Sequence, residues 1–193
     1  MFARTERLIL RPSWPEDAEP LAKALSDPAI ARTLLDAPTA IDPSGTREWI
    51  GEPRDPRLPD FLAFMRTRGA PRLVGGAGIS RREDGKLELR YWIERSHWGL
   101  GYATEATRAV MRIARATGLM GVRAGHLLDN PASARVLRKI GFSPTGRIEP
   151  RLNPALASDV AVVEFEYDGR TQDSRDTDEP AREIYSDKLF AWA

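Results

Sequence analysis

The stretch HWGLGYATEA, residues 97 to 106, sets Gly99 and Gly101 two apart, just ahead of an alanine-rich helical run. The first free N–H groups of a helix point outward and carry roughly half a positive charge. Glycines lack side chains and let an anion approach the backbone closely. Amides of Trp98, Gly99, Leu100, Gly101, Tyr102 and Ala103 could therefore surround a pyrophosphate as a nest. The same spacing also makes an ordinary tight turn with close packing, and the ten residues alone leave both readings open. Two familiar phosphate motifs are excluded. A Walker loop needs a lysine directly after its last glycine, where this chain has Tyr102. A dinucleotide fingerprint needs glycine or alanine three residues past Gly101, where this chain has Thr104. Glu105 suits the helix dipole but would repel a phosphate, so a cradle requires it to turn away toward a basic or hydrogen-bonding partner.

Other chemistries find little support. The chain has no cysteine, which removes disulfides, thiol nucleophiles and cysteine-held metals. No G-x-S-x-G elbow occurs. The two histidines, His97 and His126, lack a ligand spacing, so no metal site is expected. His97 is expected to be exposed in the glycine turn and His126 to face the packing of a strand.

The turn has to be positioned by its neighbours. Residues 87–93, LELRYWI, alternate strictly: Leu87, Leu89, Tyr91 and Ile93 share one face of a strand, and Glu88, Arg90 and Trp92 the other. A helix over 102–117 carries Ala106, Val110 and Ile113 as its buried stripe. A strand over 122–129 leads to a punctuated helix, with Asn130 as N-cap, Pro131 at its first position and Gly141 after its end. Upstream, the pattern predicts a strand over 7–12, a helix over 15–27 and a short helix over 43–50. Strands over 60–67 and 71–80 follow, and Gly75, Gly76 and Gly78 in the second predict a bulge or a close backbone approach. Residues 83–86 make a hairpin turn, and 160–167 a last strand. This mixed order favours an α/β or α+β fold with a partly antiparallel sheet.

At 193 residues and 41% apolar, the chain suits one domain, placed at 1–169, with a polar, acidic arm at 170–193 whose apolar end could dock. A net charge of +1 gives no nucleic-acid footprint. The opening residues are interrupted by Arg4, Glu6 and Arg7, so neither a signal peptide nor a membrane span is expected, and the default compartment is cytoplasmic.

The segments YWIERSHWGLGYATEATRAVM and LLDNPASARVLRKIGF together resemble the two signature segments of the GNAT superfamily of acyl-CoA N-acyltransferases. The opening TERLILRP is similar to the start of the subgroup named for ribosomal-protein N-terminal acetyltransferases. The resemblance spans about residues 5 to 167. It implies a splayed, mixed, mostly antiparallel sheet flanked by helices, opened between the parallel strands 87–93 and 122–129. Acetyl-CoA would lie in that opening as co-substrate. Its pantetheine arm would bond to backbone around Trp92, Ile93 and Glu94, its pyrophosphate would rest on the glycine turn, and Asn130 would touch it near the thioester. The family's turn usually begins with arginine or glutamine, where this chain has Ser96, which places more of the anion binding on backbone amides.

The implied reaction is direct attack of a primary amine on the thioester. A terminal amine with a pKa near ~8 is roughly one-tenth neutral at pH 7, and a lysine is far worse, so a base is useful. Glu88 matches the acidic residue that many members of the subgroup carry, although an ordinary surface glutamate paired with an arginine would look the same. The family's usual acid, a tyrosine four residues before the glycine of GF, is replaced by Leu137, which leaves Ser133 near the departing sulfur. The acceptor is either a protein N-terminal amine or a small-molecule amine, and the family is compatible with a homodimer. A chain that kept the fold and binds acyl-CoA without turnover is the alternative.

Overall fold

Alternating apolar residues, prolines and helix caps produce eight strands and five α-helices in a computed structural model that describes residues 1–35 and 41–168. The arm expected over 170–193 lies outside the described residues. In chain order the elements are β1 (Ala3–Arg4), β2 (Leu8–Arg11), α1 (Ala18–Leu25), α2 (Pro28–Ala31), α3 (Pro43–Gly51), β3 (Asp60–Met65), β4 (Arg72–Arg81) and β5 (Leu87–Ile93). Then come α4 (Tyr102–Ala116), β6 (Arg123–Leu127), α5 (Pro131–Lys139), β7 (Phe142–Asn153) and β8 (Ser158–Tyr167).

They build one sheet in the order β1-β2-β3-β4-β5-β6-β8-β7. Every neighbouring pair is antiparallel except β5 and β6. That parallel pairing is brief: Glu88 lies opposite Arg123 and Leu89 opposite Ala124, and the strands then part. β5 meanwhile stays in register with β4 as far as Ile93 opposite Gly75. The sheet is thus continuous on the β4 side of β5 and open on the β6 side.

Two apolar cores lie on opposite faces. Phe61, Ala63, Leu89 and Ile93 pack with Ala106, Val110, Leu137 and Phe165 beneath α4 and α5. Leu62, Phe64 and Leu73 pack with Leu21, Leu25 and Ile30 beneath α1 and α2. The period-2 alternation of β3 separates the two sets. The small buried residues Ala106, Ala109 and Ala114 let α4 lie close to the sheet. α5 starts where expected: the Asn130 side chain accepts from the Ser133 amide at 3.2 Å, with Pro131 at the first position. Such a cap contributes about 1 kcal/mol.

Three elements are absent from the sequence reading: β1, α2 and, above all, the twelve-residue β7. β7 contains Pro144 and Pro150, which cannot donate to a ladder, yet among the described residues it sits at the sheet edge and pairs with β8 alone. A register shift between Pro144 and Ile148 absorbs the irregularity. The helix expected from residue 15 begins as α1 at Ala18, preceded by a 3-10 turn at Pro15–Asp17. The close approach expected at the β4 glycines is present: a Cβ on Gly76 would fall 2.7 Å from the Trp92 indole nitrogen. Among the described residues, no helix is long and apolar enough to cross a membrane.

Candidate active site

The glycine turn is conformationally demanding. Gly99 and Gly101 have φ of +76° and +81°, in the left-handed region that side chains disfavour. None of the described residues lies within 4 Å of a Cβ placed on Gly99, so among them that face of the turn is open. The other side is clipped by Arg7. Its Nη1 donates to the Leu100 carbonyl at 2.8 Å, and its guanidinium stacks over the Tyr102 ring at 4.4 Å. Glu105 turns away from the turn. It accepts from the Thr5 hydroxyl at 2.6 Å, the Arg7 amide at 2.8 Å and the Arg7 Nε at 2.7 Å. Burial pushes the Glu105 carboxyl up, but these donors outweigh it and hold its pKa below the usual range. The partner that a phosphate cradle demands of Glu105 is thus Arg7, 98 residues away.

His97 is not exposed as the sequence reading expected. It is buried, edge-on to Tyr102, with Nδ1 2.9 Å from the Ser96 hydroxyl and 3.2 Å from the Glu94 carboxylate. The turn folds back over it, so an imidazole in a polar-looking loop becomes part of the turn's support.

Beyond the turn, the splay opens into a cavity of about 690 Å³. Its lining brings together Glu88, Trp92, Ile93, Trp98, Gly99, Gly101, Tyr102, Ala103, Asn130 and Ser133. Glu94 and Leu100 are not part of that lining. The backbone geometry of β5 says which groups face the gap. The Glu94 amide donates to Val74 O at 2.8 Å, and in an antiparallel ladder partner-facing residues alternate. Arg90 and Trp92 therefore turn their amides to β4, while Tyr91 and Ile93 turn theirs to the splay. The Ile93 carbonyl is already held by the Trp98 indole at 2.6 Å.

The side chains of β5 divide the cavity by face. On the α1–α3 side, both oxygens of Glu88 accept from Arg151, at 2.6 and 3.0 Å, and Arg82 lies 3.8 Å away. Gly125 sits beside this pair, and its lack of a side chain makes room for Val162, whose Cγ1 would lie only 2.6 Å from a Cβ there. Nearby, Asp60 accepts from Arg54 and, at 3.1 Å, from Arg90. On the α4–α5 side, the Tyr91 hydroxyl lies 2.6 Å from the Ser133 hydroxyl and 3.1 Å from the Ser133 carbonyl. His126 also borders this side. It is buried against Phe165, its Nδ1 is 2.7 Å from the Leu127 carbonyl, and its buried Nε2 has no hydrogen-bond partner among the described residues. Burial lowers its pKa, only partly offset by the Leu127 bond.

The family described as an acetyltransferase (GNAT) domain matches residues 7–143. The chain belongs to the GNAT acetyltransferase family. A curated relative, the uncharacterized N-acetyltransferase p20 of Bacillus licheniformis, is 28% identical over 149 residues, covering 74% of this chain and 82% of the relative. A GNAT-family acetyltransferase structure from Bacillus anthracis superposes with a TM-score of 0.70 at 20% identity, covering 86% of this chain and 97% of that one. The ribosomal-protein-S5-alanine acetyltransferase of Vibrio fischeri has a TM-score of 0.64 at 15% identity, with 87% and 97% covered. These structures show a shared fold, and GNAT acetyltransferases use acetyl-CoA as co-substrate. The left-handed turn with an open face, the helix N-terminus behind it and the unpaired edge of β5 fit that molecule.

Three residues of this GNAT domain's cleft were not legible in the sequence: Arg7, Tyr91 as a hydroxyl partner of Ser133, and Arg151. Each meets its partner across 42 residues or more, so no local spacing announces it. Arg151 also lies on the strand whose prolines concealed it.

Proposed function

We propose that this acetyltransferase moves the acetyl group of acetyl-CoA to a primary amine by direct attack, with the donor on the α4–α5 side of the splay and the amine arriving from the α1–α3 side. The observation that carries this reading is that one cavity is bordered at once by the glycine turn, Glu88 and Ser133. Acetyl-CoA supplies the activated acetyl thioester. Amides from Trp98 to Ala103 would hold its pyrophosphate, the Trp92–Ile93–Glu94 edge its pantetheine arm, and Asn130 the region near the thioester.

Glu88 would take the amine proton, directly or through a water. The guanidinium fork of Arg151 occupies one lone pair on each carboxylate oxygen, and each oxygen has a second. The ion pair therefore orients the base without exhausting it. An amide of Tyr91 or Ile93 facing the splay would stabilise negative charge as it builds on the carbonyl oxygen. Ser133 would ease departure of the sulfur. Much of the acceleration comes from holding amine and thioester together.

The acceptor is a protein N-terminal amine or a small-molecule amine; the V. fischeri neighbour, named for a ribosomal-protein alanine, supports the former. Thiol release with a panel of N-terminal peptides and small amines, with products weighed by mass spectrometry, tests this directly. The expected result is CoA release matched by an acetylated amine. Tight acetyl-CoA binding with no turnover on any amine would favour the non-catalytic binding protein instead.

A further inference from the structure

Ser133 sits in the first turn of α5, where no helical carbonyl lies four residues behind it. The hydroxyls of Thr107 and Thr117 are spent on such carbonyls, those of Ala103 at 2.7 Å and Ile113 at 3.0 Å. Ser133 meets a phenol instead. Tyr91 shares its strand face with buried Leu89 and Ile93, where a phenylalanine would pack equally well, yet its hydroxyl reaches 2.6 Å from Ser133 Oγ. The phenol's single proton has two acceptors on Ser133, Oγ at 2.6 Å and the carbonyl at 3.1 Å; when it goes to the nearer Oγ, the serine O–H is free to turn into the cavity that both residues line. The pair lies on the face of β5 opposite Glu88, so proton removal and sulfur departure occur on opposite sides of one strand.

We propose that Tyr91 is a positioning residue that aims the Ser133 O–H at the departing sulfur, so that the two hydroxyls form a hydrogen-bonding site for a thiolate. This rests on the donor placement given under Proposed function. As the N–C bond forms and the C–S bond breaks, the C–S electron pair stays on sulfur, and the amine's proton goes to Glu88 or water. No proton leaves the phenol. Burial raises the Tyr91 pKa, only partly offset by Ser133, and even an ordinary phenol, near ~10, is a weaker acid than a thiol near ~8.5. CoA therefore departs as a hydrogen-bonded thiolate.

The test is the pH titration of the thiol of CoA bound to the full chain, followed by thiolate ultraviolet absorbance, with calorimetric affinity measured in parallel. A hydrogen bond to a charged acceptor corresponds to about one to two pH units. Ser133→Ala is expected to raise the bound thiol's midpoint by about that much, and Tyr91→Phe by a comparable amount. The double variant should add little, because the two act as a unit. Ser133→Thr should restore the wild-type midpoint. The other titratable and charged groups on this side, His97, Tyr102, His126, Asp129, Arg135 and Lys139, are common to all variants. Identical midpoints in wild type and Tyr91→Phe, in a variant that melts like wild type, would overturn the proposal. CoA that fails to bind wild type at all would overturn the donor placement itself, a different failure. A thiol shift without turnover on any amine would uphold the pair and sink only the transfer reading.

Discussion

The two sides of the cleft are built from different materials. On the α4–α5 side, proposed to hold the donor, the glycine turn and the edge of β5 present backbone: left-handed φ at Gly99 and Gly101, and amides facing the splay. On the α1–α3 side, where the acceptor is proposed to arrive, the polar groups are charged side chains gathered from distant segments, Glu88 with Arg151 and Asp60 with Arg54 and Arg90. Backbone constrains spacing and leaves the side chains largely free. Ion pairs constrain identity and leave spacing free. A donor common to a family suits the first material, and an acceptor that differs between members suits the second.

If that contrast is real, substitutions on the two sides should separate acetyl-CoA affinity from turnover. The largest effect is expected at Glu88. Glu88→Gln should lower kcat at neutral pH about a hundredfold or more, with partial recovery at higher pH and unchanged acetyl-CoA affinity, in steady-state assays paired with calorimetry. An unchanged rate removes Glu88 as the base. Next is Thr104→Glu, which adds a carboxylate where the first turn of α4 borders the cavity. It should weaken acetyl-CoA binding about tenfold to a hundredfold while the melting temperature stays put. A valine at Gly101 tests less cleanly, because at φ +81° it strains the turn whatever binds there.

Two smaller effects concern the support beneath the donor side. Glu105→Gln breaks the clip to Arg7 and should cost about 2 kcal/mol in urea unfolding, less in high salt because Arg7 is partly exposed. Since the folded Glu105 pKa is lowered, its stabilisation is full above the unfolded value of about 4.3 and is lost as pH falls through the folded one. His126 has the opposite chemistry with the same slope. Its lowered pKa means the unfolded chain binds more protons below about pH 6.5, so stability falls as pH drops through that value until the folded pKa is passed. His126→Phe should flatten that part of the stability profile, and an unchanged slope would show that another group sets it.

The same difference in materials explains what the sequence revealed. The strand at 87–93 appeared at its predicted bounds, because strict alternation is a local signal. The helix after the glycine turn ended within one residue of expectation, and Asn130 and Pro131 marked the next one. β7 did not announce itself, because two prolines that would be fatal in a central strand are harmless at an edge. With β7 went Arg151, the partner that orients Glu88. His97 misled because burial depends on how the turn folds back, which no spacing records. Long-range ion pairs and hydroxyl pairs are set by topology, which no local spacing encodes.

The placement of the donor in the splay underlies everything else, and backbone-amide NMR during a CoA titration tests it most directly. Shifts should appear at Gly99, Gly101, Tyr102 and Ala103 and at the splay-facing amides of Tyr91 and Ile93, with much smaller ones at Arg90 and Trp92, which face β4. A titration that leaves the glycine turn unmoved and perturbs Trp49 and Leu62 on the α1–α3 side would contradict the account.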